Sequence, residues 1–452
     1  MATIKPRTLS GFMELLPQQQ VYFDSMVRTL KNSFSLYGFT ALDLPLMEAA
    51  EILLAKGGGE TEKQVYTLKK GDTDLAIRYD LTTSLAKYTA MNYSSLTFPF
   101  RRYEIGKVYR GERAQRGRFR EFYQADIDII GDGSLDILND AEIPSVIYNC
   151  LSALGLEHFV IHINNRKVLS GFFAILGVEK ASPEIMRIID KLAKIGVKKT
   201  KDLLVNEATL SAHAADEIIN LISCESDPIT YIEAYRNKNE LFDEGADELA
   251  AVARYMSDFG VPECSYKIDL SIARGLDYYT GTIYETLMTY HPEVGSICSG
   301  GRYDNLAEYY TDKKLPGVGI SIGLTRLFSI LTEQKMLNPA VKADPADILI
   351  LPMTDDLNHS ISLATSMREQ GLRVQIYSEN KKFKHKISYA DKLNIPYVIF
   401  LGEDEIKGGT ITVKDMQSGE QTTASPAIIT AGLAERILVN KNNKPIFDSA
   451  NK

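Results

Sequence analysis

Residues 98 to 130 read FPFRRYEIGKVYRGERAQRGRFREFYQADIDII and predict two antiparallel strands joined by a basic loop. The first arm, Phe100 to Tyr109, is rich in aromatic and β-branched residues, and the segment Gly111 to Gly117 is typical of a long hairpin connection. Side chains in a strand alternate with period two. In the second arm one face carries Tyr123, Ala125, Ile127 and Ile129, and the other carries Phe122, Gln124, Asp126 and Asp128. The first face is predicted to lie in a core.

The polar face of the second arm is predicted to bind a ligand. A polar strand face is often only solvated, but Arg101 to Arg120 contain eight basic and two acidic residues, a local charge of +6 in a chain of net charge −8. A basic loop beside amide and carboxylate acceptors suits a ligand that is polyanionic at one end and cationic at the other. ATP beside an amino acid is such a ligand.

Several strings resemble class II aminoacyl-tRNA synthetases. The run RGER from Arg110, with the basic loop and Phe122, resembles motif 2, and RGRFREFYQADIDIIG is similar to its form in the histidyl-tRNA synthetase family. RGLDYYTG at 274–281 and SGGRYD at 299–304 resemble the two histidine-specific signatures of that family. The stretch GFTALDLPLMEAAEIL from Gly38 occupies the place of motif 1, and PGVGISIGLTRLFSILTE from Pro316 resembles motif 3.

The resemblance implies the architecture. It implies an α+β catalytic domain with a mainly antiparallel sheet over residues 1–335, with a helical insertion at 175–262, and a smaller α/β anticodon-binding domain at 346–452. The chain length of 452 residues independently predicts two or three domains. Alternating strand and helix patterns after residue 345 predict a largely parallel sheet there. By resemblance the insertion reaches toward the acceptor end of tRNA; a purely structural insertion is the alternative.

The implied activity is that of a ligase. The resemblance implies ATP-dependent activation of L-histidine to histidyl adenylate and transfer to the 3′ end of tRNA(His), with ATP as substrate accompanied by Mg²⁺. The positions implied for catalysis are Arg274 and Arg110, with Arg274 standing where related enzymes often hold a metal ion. The positions implied for histidine are Asp80, Leu81, Thr82, Gln124, Asp128, Tyr278, Tyr279 and Tyr303, and those for ATP are Arg110, Glu112, Phe122 and Arg326. No metal site is predicted in the protein.

Two of these assignments have a physical alternative. Asp80 and Thr82 stand at a predicted strand-to-helix turn, where they could cap the helix or bind the α-ammonium group of a substrate. Arg326 falls in the first turn of a predicted helix, where the helix dipole disfavours a cation. An anionic ligand explains this arginine better than stability does, although a solvated arginine would also fit.

Composition limits the remaining possibilities. There is no run of eighteen apolar residues and no basic-then-apolar leader, so we expect a cytoplasmic protein without a membrane partner. The four cysteines fit neither a zinc nor a disulfide pattern. The acidic balance disfavours indiscriminate nucleic-acid binding, so DNA is not expected and RNA contact must be local. A local candidate is the basic run Lys381, Lys382, Lys384 and Lys386. Homodimerisation is implied by the resemblance alone.

Two rival functions remain. One is a synthetase-like regulatory subunit that binds histidine without catalysis; the presence of Arg110, Gln124, Arg274 and Arg326, together with residues 346–452, disfavours it. The other is a synthetase for a different amino acid, which leaves RGLDYYTG and SGGRYD unexplained.

Overall fold

The computed structural model describes residues 3–55, 62–113, 117–224, 228–273, 278–338 and 345–440. The chain divides into two units. The first consists of Met1–Glu14 and Met26–Met336, and the second of Leu15–Ser25 and Leu337–Lys452. The first half of the N-terminal helix therefore groups with the C-terminal part of the chain.

The helices and strands up to Met336 alternate between short β-hairpins and helices, with a helical stretch in the middle. In chain order they are α1 (Pro17–Leu36), β1 (Thr40–Ala41), β2 (Met47–Ala49), α2 (Ala50–Leu53), β3 (Tyr66–Lys70), β4 (Thr73–Ile77), α3 (Thr82–Met91), β5 (Phe100–Tyr109), β6 (Glu121–Ile130), α4 (Leu138–Ala153), β7 (Phe159–Asn165), α5 (Arg166–Ile175), α6 (Ser182–Ile189), α7 (Leu192–Asn206), α8 (Ala212–Ile222), α9 (Pro228–Glu233), α10 (Glu240–Asp258), β8 (Tyr266–Ile268), β9 (Thr282–Met288), β10 (Cys298–Tyr303), β11 (Gly317–Gly323) and α11 (Leu324–Glu333).

One large sheet organises the first unit. In the described ranges, eight strands form it in the order β1-β5-β6-β11-β10-β9-β7-β8. Every pairing from β5 to β7 in this order is antiparallel, and the two edge pairs, β1 with β5 and β7 with β8, are parallel. A second sheet, β2-β4-β3, is antiparallel. The predicted hairpin and the mainly antiparallel sheet are confirmed.

The central strand β6 is buried on both faces. Its apolar residues Ala125, Ile127 and Ile129 are fully buried, as alternation predicts, while α11 packs against β6 and α4 against β11. The opposite face is also covered, since Asp126 and Asp128 are each 2% exposed. Because burying a carboxylate is unfavourable without a partner, this face must obtain its stability from specific contacts.

The helical stretch contains shorter helices than the periodicity predicted. The predicted helices at 182–195, 201–223 and 228–259 correspond to five helices, α6 to α10, in the described residues. Gly196, with φ of 78°, interrupts α7 with a non-helical residue. The last helix, α10, packs closely on α5. The close approach leaves no room for a side chain at Gly171, where a β-carbon would lie 2.5 Å from the backbone nitrogen of Phe242.

The second unit is an α/β domain with its own sheet. Its elements are β12 (Ile348–Pro352), α12 (Asn358–Glu369), β13 (Val374–Ile376), α13 (Phe383–Lys392), β14 (Tyr397–Leu401), α14 (Glu403–Gly408), β15 (Ile411–Asp415), β16 (Gln421–Ala424) and α15 (Pro426–Asn440). The sheet order is β13-β12-β14-β15-β16. The smaller α/β domain is confirmed, but the prediction of a largely parallel sheet is wrong for half of it. Only β13, β12 and β14 are parallel; β15 and β16 are antiparallel, because a tight turn after Asp415 joins them as a hairpin.

Candidate active site

The floor of the candidate site is the polar face of β6. Asp126 pairs in register with Glu104 of β5 and with Ser321 of β11, and Asp128 pairs with Arg102 and Gly319. The antiparallel register therefore places acidic, basic and small residues side by side on one face of three adjacent strands. No metal-binding cluster of histidine, cysteine and carboxylate side chains occurs in the parts of the chain that the structure describes.

Asp128 has two partners at opposite ends of its carboxylate. The Tyr303 hydroxyl donates to Asp128 Oδ1 at 2.7 Å, and Arg102 Nη2 lies 2.8 Å from Asp128 Oδ2. Gly319 makes room for this carboxylate, because a β-carbon there would lie 2.2 Å from Oδ1. Burial raises the pKa of Asp128, and the Arg102 charge and the Tyr303 hydrogen bond oppose that rise.

Gln124 and Asp126 share the hydroxyl of Ser321. Gln124 Nε2 donates to Ser321 Oγ at 2.7 Å, and the same hydroxyl bonds to Asp126. Burial raises the pKa of Asp126 well above its usual range; Arg102 opposes this, and the nearby carboxylate of Asp128 adds to it. Within the described residues, Gln124 Oε1 and Asp126 Oδ1 are buried without a hydrogen-bond partner. Both are acceptors that a ligand donor could satisfy.

The turn before α3 presents a third carboxylate. Asp80 Oδ1 accepts a hydrogen bond from the backbone N–H of Thr83 at 3.0 Å, so it caps the helix. Asp80 Oδ2 has no partner among the residues described. Burial raises the pKa of Asp80, and the hydrogen bonds from Thr83 and the charge of Arg110 oppose that rise. Leu81 is buried, and Thr82 bonds to Tyr278. Asp80 is thus both a cap and a carboxylate with a free oxygen.

Three tyrosines line this end of the site. The ring centroid of Tyr278 lies 5.0 Å from that of Tyr279 and 5.8 Å from that of Tyr303, and both pairs meet edge to face. Burial raises the pKa of each phenol, and the carboxylate of Asp128 raises those of Tyr279 and Tyr303 further. The phenols are therefore neutral, and each can donate or accept a hydrogen bond.

Arginines collect at the other end of the hairpin. The Arg110 guanidinium lies 5.2 Å from the centroid of the Phe122 ring, and its Nε donates to the carbonyl of Tyr79 at 3.1 Å. Arg118 Nη1 donates to Glu112 Oε2 at 3.1 Å. Burial lowers the pKa of Arg326, and the charge of Arg118 lowers it further. The charges of Glu285 and Glu112 oppose this fall, and a bound anion would act in the same direction as these carboxylates.

The structure also changes the prediction of one basic loop. Arg101 pairs with Glu142 at 2.7 Å, and Lys107 pairs with Glu121 at 2.9 Å. Arg102 is fully buried on the polar face. These three cations lie on β5, and their charges are already paired within the fold. The basic character of the hairpin that is open to a ligand therefore comes from the residues after Tyr109.

Sequence reasoning assigned no role to three residues of the site: Arg102, Asp126 and Ser321. Asp126 was visible in the alternation of β6, between Gln124 and Asp128. Arg102 and Ser321 could have been found only from the strand register, which pairs them with Asp128 and Asp126. Arg274 lies in 274–277, outside the described residues, so the geometry says nothing about its predicted role.

The polar and charged side chains of the described site, with Phe122, form two groups. We call Asp80, Gln124, Asp126, Asp128 and Tyr303 the carboxylate end, and Arg110, Glu112, Phe122 and Arg326 the arginine end. The carboxylate end offers acceptor oxygens in a buried setting, and the arginine end offers cations and an aromatic face. A ligand with an ammonium group at one end and phosphates with a base at the other would satisfy both. An antiparallel sheet carrying such a site agrees with the class II aminoacyl-tRNA synthetases, which the sequence motifs resemble.

Comparison with known proteins agrees with this class. A family model described as histidyl-tRNA synthetase matches residues 11–327, and one described as an anticodon binding domain matches residues 347–436. The chain belongs to the histidyl-tRNA synthetase family.

Individual relatives cover nearly the whole chain. A histidine–tRNA ligase of Clostridium tetani is 51% identical over 442 residues, which is 97% of this chain and 99% of that protein. A solved histidyl-tRNA synthetase from Nostoc is 36% identical, with a TM-score of 0.85 over 96% of this chain and all of that one. A Bacillus halodurans structure described as an ATP phosphoribosyltransferase regulatory subunit/histidyl-tRNA synthetase has a TM-score of 0.72 at 20% identity, covering 89% of this chain and 99% of that one. At that identity the likeness concerns the fold alone.

Proposed function

We propose that this protein is a histidine–tRNA ligase: it activates L-histidine with ATP to histidyl adenylate and transfers the histidyl group to the 3′ end of tRNA(His). Its place in the family supports the activity. The observation that carries the choice of substrate is the pair of groups on Asp128, a tyrosine hydroxyl on one oxygen and an arginine beside the other. Such a carboxylate is suited to an imidazole N–H.

The first step joins the substrate carboxylate to the α-phosphorus of ATP. The carboxylate oxygen attacks the phosphorus, the bond to the bridging oxygen breaks, and pyrophosphate leaves with that electron pair. Arg110, with Arg274, neutralises charge that builds up at the α-phosphate, and Arg326 binds the far phosphates or the adenine. Glu112 and Phe122 hold the adenine. Positioning and charge stabilisation of this kind can supply most of the rate without a protein nucleophile.

Recognition of histidine uses the carboxylate end. Asp80 and Gln124, with Thr82, accept hydrogen bonds from the α-ammonium group. Asp128 and Tyr279, with Tyr303, bond to the imidazole nitrogens.

The specificity follows from the same contacts. Tyr278 and Leu81 shape the pocket that the side chain enters. Any other side chain leaves these buried polar groups unpaired, which lowers the rate on the order of 10⁴-fold. Selection at this step makes a separate editing site unnecessary.

The remaining features of the proposal concern partners. Mg²⁺ enters with ATP as part of the nucleotide substrate, and the protein supplies no resident metal. Residues 346–452 bind the anticodon part of tRNA(His), residues 1–335 form the catalytic domain, and the insertion at 175–262 reaches toward the acceptor end. The enzyme works in the cytoplasm as a homodimer through the motif 1 segment. No helix in the described ranges is long and apolar enough to span a membrane.

ATP–pyrophosphate exchange, run with each amino acid separately and without tRNA, tests the activity. Exchange with histidine alone is expected. A folded protein that binds histidine but catalyses no exchange would instead be the regulatory subunit. Exchange with another amino acid would indicate a different synthetase.

Asp128→Ala tests the recognition site. The variant is expected to raise the KM for histidine by about 10²-fold or more, because one partner of a buried hydrogen-bonded charge is lost. The KM for ATP should change little, because Asp128 belongs to the carboxylate end. An unchanged dependence of rate on histidine concentration would remove Asp128 from recognition. Arg110→Ala is the matched variant at the arginine end, and it should lower the rate of exchange without the same change in the KM for histidine.

A further inference from the structure

Arg102 is a buried cation beside Asp128, on the same face of the sheet. Its side chain is fully buried, and it stands on β5 opposite Asp128 of β6. Its Nη2 lies 2.8 Å from Asp128 Oδ2 and donates to the carbonyl of Leu81 at 3.4 Å; its Nη1 lies 3.7 Å from Glu104 Oε2. One guanidinium therefore contacts the backbone of the turn at Asp80 and the carboxylate on the floor.

The contact between Arg102 and Asp128 is an ion pair without an aligned hydrogen bond. Within the described residues, neither Arg102 Nη1 nor Arg102 Nε donates a hydrogen bond, and Asp128 Oδ2 accepts none. An aligned fork between an arginine and a carboxylate would use both carboxylate oxygens. Here the Tyr303 hydroxyl occupies Oδ1, and Oδ2 retains lone pairs beside a positive charge. This oxygen can accept an N–H from a ligand.

We propose that Arg102 is a positioning residue for amino-acid recognition, which holds the Asp128 carboxylate ionised and leaves its Oδ2 oxygen open to an imidazole N–H. The proposal rests on the role of Asp128 in the proposed function. Arg102 acts through Asp128 and through the turn at Leu81, and it does not contact the substrate itself.

The surroundings of Asp128 explain why this cation is needed. The groups that face Asp128 or act on its charge are Arg102 and Glu104 on β5, Asp126 on β6, Tyr303 on β10, Tyr279, and Asp80 before α3. From β11 the neighbour is Gly319, which carries no side chain. Three of these six groups are carboxylic acids, and burial also favours the neutral acid. The charge of Arg102 is the largest influence that favours the carboxylate.

The test compares Arg102→Met with Arg102→Lys in the full-length enzyme, by ATP–pyrophosphate exchange over the pH range in which each variant is folded. In the wild type, histidine binding is expected to weaken as pH falls, because both Asp128 and the imidazole of the substrate take up protons, and the substrate contribution is common to all variants. Arg102→Met should move this acid limb of 1/KM for histidine upward by about one to three pH units. At neutral pH the KM for histidine should rise about tenfold or more, with little change in the KM for ATP. Arg102→Lys, which retains a charge, should restore part of both shifts.

Arg78→Met is the matched control. Arg78 is also a buried arginine, and its Nη1 lies 2.7 Å from Glu104 Oε1, on the same carboxylate that Arg102 approaches. Its Nη1 and Nε also donate to the carbonyls of Leu44 and Lys107, respectively. The control should lower the unfolding temperature as Arg102→Met does, but it should leave the acid limb for histidine in place.

Three results would overturn the proposal. If the acid limb of Arg102→Met coincides with that of the wild type, Arg102 acts only on stability. If Arg78→Met displaces the acid limb as far as Arg102→Met does, the effect is not specific to Arg102. If Arg102→Met does not fold, Arg102→Gln, which also removes the charge, takes its place, and an acid limb and a KM for histidine identical to those of the wild type would overturn the proposal. The variant Asp128→Asn distinguishes a failure of the role of Asp128 from a failure of the role of Arg102. If that variant leaves the KM for histidine unchanged, the role of Asp128 fails and Arg102 loses its target. If Asp128→Asn raises the KM for histidine but Arg102→Met does not, the role of Asp128 stands and only the inference about Arg102 fails.

Discussion

Two buried aspartate–arginine pairs in the first unit differ in how completely they satisfy each other. Arg302 donates from Nε to Asp140 Oδ1 at 3.0 Å and from Nη2 to Oδ2 at 2.5 Å, and its Nη2 also bonds to the carbonyl of Leu135. In the described part of the chain no buried atom of that pair lacks a partner. Arg102 and Asp128 are also buried, and their nearest charged atoms lie 2.8 Å apart, but three of their atoms make no hydrogen bond there.

The difference separates a pair whose hydrogen bonds are satisfied within the fold from a pair that retains capacity for a ligand. An aligned pair uses its hydrogen-bonding capacity internally, so a ligand has nothing to gain from it. An ion pair with unused donors and acceptors is unfavourable in the empty protein. Its remaining capacity becomes favourable only when a ligand supplies the missing partners.

The largest effect in this comparison is expected from Asp140→Ala. Removing Asp140 leaves Arg302 with only the more distant carboxylate of Asp304, 3.5 Å from its Nη1, and the free energy of unfolding should fall by about 3–5 kcal/mol. Urea unfolding measures this loss, and exchange kinetics of the folded variant should show a nearly unchanged KM for histidine. A large rise in that KM with normal stability would place Asp140 in the site and end the distinction.

A smaller effect is expected from Gly319→Ala. A β-carbon at residue 319 would lie 2.2 Å from Asp128 Oδ1 and 2.5 Å from the carbonyl of Ile127, so Asp128 must move. The KM for histidine should rise about tenfold, and the strain should lower the free energy of unfolding by about 1–3 kcal/mol. Gly323→Ala in the same strand is the control, because its nearest neighbour would be 3.6 Å away. Equal kinetics for the two variants would contradict the close approach at Gly319.

The smallest effect is expected from Asp126→Asn, and it should be a gain in stability. The folded-state pKa of Asp126 lies above that of the unfolded chain because of burial, so the folded protein binds more protons between the two values. Its stability therefore falls as pH rises through that window. Asparagine cannot ionise, so the variant should be more stable by about 1–2 kcal/mol at neutral pH. The gain should vanish below about pH 4, where aspartate is protonated in both states. Urea unfolding at several pH values measures it, and a gain independent of pH would contradict this origin.

The sequence predicted the local secondary structure correctly, but it did not predict which side chains contact one another across the sheet. The arms of the hairpin, the entry into α3 near Thr82 and the position of Arg326 in the first turn of α11 follow from alternation, turn residues and helix periodicity, and the structure confirms them. These signals are local. Their agreement with the motifs was enough to predict the fold class.

What could not be predicted depends on register and burial. Arg102 was counted with the basic loop because a charged residue on a strand is normally solvated, and only the pairing with Asp128 reveals its burial. The antiparallel half of the second sheet was missed because the short helix α14 and the strand β16 have weak patterns. The assignments of individual residues to histidine or ATP came from resemblance and remain predictions.

The strand β6 also sets the distance between the two ends of the site. Phe122 at the arginine end and Asp128 at the carboxylate end stand on the same face, six residues apart, and a strand rises about 3.3 Å per residue, so about 20 Å separates them. A one-residue insertion between them would turn one end away from the site, because side chains alternate. If the proposed histidyl adenylate lies along β6, the spacing between Phe122 and Asp128 must match its span, and new side-chain specificity would then arise there by substitution and not by insertion.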